Sequence, residues 1–142
     1  MTSVEEHKKK IREHLEEIED AIKEGIEKKP VTIGFNCSAC TLQFLELYLH
    51  LANKIGDGKV IKHDWFKRPQ AGQKIEPLIE RKLRIEFSEK EKIYSLVYDL
   101  EEERNALVYG KPSEEQTKVV LKKFLKIKEI FRGLFKNVGY EI

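Results

Sequence analysis

Arg104, Asn105 and Tyr109 close the segment E-E-E-R-N-A-L-V-Y-G, the stretch whose residue types are best suited to chemistry. Arg104 falls within an apolar stripe of Ile93, Val97, Leu100 and Leu107, which recur at the three- and four-residue spacings of one helix face. A guanidinium keeps its charge at every working pH and is costly to bury alone. Either a carboxylate meets it, or the stripe faces a cleft or another chain. A second stripe, about 100° round the helix by the turn per residue, carries Tyr94, Tyr98, Glu101, Asn105 and Tyr109. An apolar face holding one arginine, beside a face of tyrosines and an amide, looks like the wall of a site. The plainer reading is a buried salt bridge from Arg104 to Glu101, with the tyrosines packing at a helix junction. Residue types alone leave the two level.

Two other places carry reactive side chains. His63-Asp64-Trp65 sits in a segment without period, where an aspartate beside a histidine could orient it as a base. Trp65 and Phe66 would anchor that segment and position His63, Asp64, Lys67 and Arg68, and anchoring is the favoured reading. Cys37-Ser38-Ala39-Cys40 is a C-x-x-C, but zinc needs four ligands and one such pair supplies two. A redox pair would follow a strand, and no strand pattern precedes it. Core packing is therefore the expectation for both thiols. No metal ligand set and no cofactor motif is expected, and nothing resembles a phosphate-binding loop.

The elements that must position these residues are all helical. The first helix is expected from Ser3 to Lys28, with a narrow stripe of Val4, Ile11, Leu15, Ile18, Ile22 and Ile26 and a capping box of Ser3 with Glu6. His7 and His14 flank that stripe, too far apart for one metal ion. The second is expected from Ile33 to Ile55 and is apolar almost all round, apart from a strip of Gln43, Glu46, His50, Asn53 and Lys54. Such a helix is buried on most sides, as a central helix or in a dimer seam. Gly56-Asp57-Gly58 reads as a turn. A short helix follows over Glu76–Leu83, with Pro77 in its first turn. Ser88 with Glu91 forms a capping box for the helix that carries Arg104, which Gly110 and Pro112 end. Ser113 with Gln116 does the same for a last helix reaching Lys136. The expected fold is all-α: an up-and-down four-helix bundle with one additional short helix in the middle connection, one domain over residues 1–142.

Composition narrows the function classes. The chain has 142 residues and a net charge of +2, although 37% of residues are charged. That balance demands no nucleic-acid partner. The lysines of the last helix and of 59–74 could touch RNA phosphates, but interspersed glutamates favour a solvated, ion-paired surface. A surface rich in lysine and glutamate suits a heat-tolerant protein. No apolar run reaches the length of a membrane span, and the N-terminus has no hydrophobic signal core. The expected setting is cytoplasmic, with no membrane and with reduced cysteines.

E-E-E-R-N-A-L-V-Y-G resembles the signature near the end of a long helix in HEPN domains, small helical bundles of prokaryotic toxin–antitoxin and defence systems. Their pattern is an arginine, often followed by asparagine, with a histidine five residues after the arginine. Arg104-Asn105 match its first part, and Tyr109 stands where the histidine would be. The buried-looking second helix, long middle connection and amphipathic last helix are also similar. The resemblance implies a homodimer with the arginines of both copies around a shared cleft. It implies binding of RNA or a nucleotide, and a minimal nucleotidyltransferase as partner. Active members cut RNA without a metal, through the RNA's own 2′-hydroxyl. Arg104 would hold phosphate and Tyr109 take the histidine's place, both as candidate catalytic residues. Asn105, Glu101, Tyr98 and His63 would complete the binding site. An unperturbed tyrosine titrates near ~10, so nuclease activity is expected to be weakened or absent. The nucleotidyltransferase of some pairs modifies a tyrosine two positions beyond the histidine; Lys111 is there in this chain. Rival readings are an active RNase in which Tyr109 or His63 replaces the histidine, and a purely structural interaction module.

Overall fold

Gly25 ends the first helix at Glu24, four residues short of the expected Lys28. Its φ of +119° lies where side chains are strained, and an added Cβ would sit 2.6 Å from the Glu27 carboxylate. In the computed structural model, which describes residues 4–56 and 58–141, α1 therefore spans Val4–Glu24, and a single 3-10 turn covers Ile26–Lys28. Ser3 and Asp57 lie outside the described residues, and with them the expected first capping box and the centre of the glycine turn. Pro30 starts α2 (Pro30–Leu51), three residues before the expected Ile33, because the first turn of a helix has no use for its missing N–H. Asn53, at φ +59°, closes α2 short of Ile55. The remaining helices are α3 (Leu78–Lys82), α4 (Lys90–Tyr109) and α5 (Glu114–Asn137). The fold is an all-helical bundle of five α-helices, with no strand among the described residues. No helix is long and apolar enough to cross a membrane.

Two of the expected helix starts are corrected. Pro77 is the N-cap of α3, not a residue of its first turn. Ser88 does not cap α4: Glu89 occupies that position in the left-handed region, and no side chain bonds the free N–H groups. A different device holds this corner. The buried Lys90 ammonium donates to the Ile85 carbonyl at 2.7 Å and to Glu80 and Glu86 at 3.1 Å each. The capping box of α5 forms as expected. Gln116 donates its N–H to Ser113 Oγ at 3.2 Å, and Gln116 Oε1 accepts from the Ser113 N–H at 2.8 Å.

The all-round apolar α2 is the centre of the bundle, packed against α1, α4 and α5. Phe44 and Tyr48 meet Phe131 and Phe135 of α5 in one aromatic cluster, which Phe124 joins through Phe44. Cys37 and Cys40 are buried in the same core, and burial pushes both thiols far above their ordinary range. The buried stripe of α1 is His7, Ile11, Ile18 and Ala21; Ile22, expected inside, is 48% exposed. His7 is a core residue, its Nδ1 2.8 Å from Gln43 Oε1, and His14 pairs with Asn36 at the same distance. The expected polar strip of α2 is thus partly the seam that α1 reads.

Glu46, on that strip, ties down the long connection between α2 and α3. Its buried carboxylate accepts the Ile61 N–H at 2.7 Å, and burial holds it above the usual glutamate range. Ile61 and Phe66 insert fully, Phe66 against the rings of Tyr94 and Tyr98, whereas Trp65 is half-buried. These anchors bring His63–Arg68 onto α4.

Candidate binding cleft on the fourth helix

Gly34 lets α2 and α4 meet closely, since a Cβ there would lie 3.0 Å from Leu107 Cβ. That contact sets Ser38 of α2 beside Glu101 of α4, one turn further along. Ser38 Oγ donates to Glu101 Oε1, and His63 Nδ1 lies 3.3 Å from Glu101 Oε2. A buried hydroxyl, a buried carboxylate and a loop imidazole are thus linked in series. Burial pushes Glu101 above the ordinary glutamate range, against the pull of Ser38, His63 and Arg104. In the tautomer that turns Nδ1–H to the carboxylate, Nε2 of His63 remains a hydrogen-bond acceptor.

The partner of His63 is Glu101, 38 residues away, and not the adjacent Asp64. Beside this pair opens a cleft of about 370 Å³. His63, Asp64, Phe66, Lys67 and Arg68 form one wall, and Glu101, Glu102 and Asn105 the other. Arg68 is spoken for: it donates to Glu102 at 2.7 Å and to Asp99 at 2.9 Å, and lies 5.1 Å from the centre of the Tyr98 ring. Although burial pushes Asp99 up, Arg68 and Lys123 hold it below its usual range.

Arg104 is 6% exposed, and the salt bridge to Glu101 offered as the plainer reading does not form. Its Nη1 reaches Asn105 Oδ1 at 3.3 Å, and its guanidinium carbon lies 5.8 Å from the centre of the Phe35 ring. Its Nε is buried with no hydrogen-bond partner. Phe35 and Val31, one turn apart on α2, are each 52% exposed.

Of the six residues singled out from the sequence, the chain brings three around one cleft: His63, Glu101 and Asn105. Arg104 touches that group through Asn105. Tyr98 does not line the cleft; it packs behind Phe66 and under Arg68, and faces a neighbouring hollow with Tyr94 and Glu80. Tyr109 does not line it either. It is the last residue of α4, 77% exposed, and five residues turn it about 140° from Arg104. Sequence reading missed Ser38 and Phe35. Ser38 had a signal, because a hydroxyl on a helix buried all round must find an acceptor.

Among the described residues no three His, Cys, Asp or Glu side chains are placed to share a metal ion. No family model, curated protein or solved structure matches the chain.

Proposed function

We propose that the chain is a cytoplasmic, HEPN-like homodimer that binds RNA or a nucleotide in a cleft between its two copies. Its nuclease activity would be weakened or absent, and a nucleotidyltransferase would be its partner in a toxin–antitoxin or defence pair. One observation carries the reading: a permanent cation is buried with no carboxylate in ion-pair contact and with its Nε unsatisfied. Such an arrangement is costly unless something anionic completes it. The half-exposed Phe35 beside Arg104, with Val31 one turn from it on α2, is the apolar surface that a second copy would cover. The single-copy cleft carries Asp64, Glu101 and Glu102 against His63, Lys67 and Arg68, so phosphate binding would draw on Arg104 from both copies. An up-and-down order of the four long helices belongs to the same proposal. The short links 25–29 and 110–113 support it, since short connections join antiparallel neighbours.

Binding of a labelled oligoribonucleotide and of ATP, measured on wild type and Arg104→Ala, tests the reading. Loss of binding by a chain whose circular dichroism is unchanged supports it. Full-strength binding by the variant removes Arg104 from the site, and a monomer in solution removes the shared cleft.

The Glu101–His63 pair favours a second reading, a metal-independent RNase in which His63 takes the 2′-hydroxyl proton. It requires RNA cleavage that His63→Ala abolishes. Cleavage no faster than an Arg104→Ala control rules it out.

A further inference from the structure

A second concave surface lies between α4 and α5, roughly 130° round α4 from the cleft by helical geometry. It has a volume of about 830 Å³, and its floor is Leu96, Leu125 and Ile130. Leu125 is 56% exposed, the largest apolar exposure along α5. Three ammonium groups surround this floor: Lys92 from α4, and Lys122 and Lys126 from α5. None of the three forms an ion pair among the described residues, while Lys90, Lys118 and Lys123 nearby all do. Lys122 and Lys126 stand one turn apart, a spacing at which like charges repel. The one carboxylate in the lining, Glu129, is already held by Arg132. The surface thus pairs an apolar floor with uncompensated positive charge.

We propose that this groove docks an amphipathic, acid-flanked helix of a partner polypeptide. Apolar side chains at helical spacing would enter the floor, and carboxylates would meet the three lysines. The chemistry selects this occupant. An RNA strand would call for aromatic platforms to stack its bases, and no aromatic residue lines the groove. A second copy seated on the same face would set lysines against lysines, because a two-fold interface repeats one patch on both sides. The proposal does not depend on the Arg104 site.

The test uses a fluorescein-labelled synthetic helix of about 18 residues, with leucines on one face and glutamates flanking them. The same peptide with lysines for glutamates, and a single-stranded RNA of about 12 nucleotides, serve as rivals. Fluorescence anisotropy should show saturable binding of the acidic peptide alone, weakening as salt is raised. Lys122→Glu with Lys126→Glu should weaken it at least ~10-fold, and Leu125→Glu by a similar factor, since each removes one half of the recognition. These positions are exposed, and circular dichroism checks that the variants fold. The proposal is overturned by no saturable binding, by equal binding of the lysine peptide, or by variants that bind as wild type does. Preferred binding of the RNA would make the groove a nucleic-acid surface instead. Loss of self-association in Leu125→Glu would make it a contact between copies.

Discussion

His63 Nδ1 and Glu101 Oε2 stand 3.3 Å apart, and the other oxygen of that carboxylate is taken by Ser38. One buried glutamate therefore joins the long connection, α2 and α4. Its direct contacts are a hydroxyl and a half-exposed imidazole, and the arginine three residues on acts on it only without contact. The pair fixes His63 in the wall of the cleft.

Burial holds Glu101 and Glu46 above the ordinary glutamate value of 4.5. Between the unfolded and folded values the native state keeps protons that the unfolded chain has released, so stability falls as pH rises. The contribution is fully present below the unfolded value and is lost as pH climbs through the raised folded values. Urea midpoints between about pH 4 and pH 7 should decline less in Glu46→Gln/Glu101→Gln than in wild type. An identical decline would mean that neither carboxylate is linked to folding.

Arg104→Met should leave stability unchanged or raise it, by up to ~2 kcal/mol. The substitution keeps a similar volume against Phe35 and removes a buried charge that no carboxylate contacts directly. Urea unfolding measures this directly. A loss above about 1 kcal/mol would show that the guanidinium is satisfied within the single chain, which would weaken the case for an anionic ligand.

Phe66 is the anchor that presses the His63 segment onto α4. Phe66→Ala should cost ~3 kcal/mol, the usual penalty for emptying a fully enclosed aromatic site. Limited proteolysis should then cut within 59–75 while the helices persist. Should the segment stay protected, Ile61 and the Glu46 carboxylate would be the anchors that matter.

Gly34→Val should push α2 and α4 apart where Ser38 and Glu101 meet. A Cβ at 3.0 Å from Leu107 has no room for two further methyl groups, and overpacking of this kind costs ~1–3 kcal/mol. Thermal unfolding reads the loss. An unaltered midpoint would mean that the two helices are less tightly apposed than the contact implies.

The apolar periodicity made the helices and their inner faces legible. An α2 greasy on every side had to be central, and an arginine inside the stripe of α4 had to be buried. Helix ends were less legible, because the period of a stripe does not report backbone conformation. Ser88 and Glu91 have the letters of a capping box, yet Glu89 takes a left-handed turn that moves the start of α4 past Ser88. Gly25 and Asn53 stop their helices through positive φ, which apolar spacing does not encode. The site was legible in its α4 half only. Glu101 and Asn105 follow from one helix face, but the partner of His63 comes from distant chain, so the neighbour Asp64 was a poor guide. Tyr98 and Tyr109 share a stripe with Glu101 on a helical wheel. From Tyr98 to Tyr109 the stripe spans about three turns, however, and the cleft covers only the part between them.

Cys37 and Cys40 sit at the heart of α2 with no solvent contact, and their thiolates are strongly disfavoured there. An alkylating reagent such as iodoacetamide can reach them only while the bundle is open. The two sulfurs are thus a built-in clock: the pace of their labelling counts how often the whole molecule comes apart.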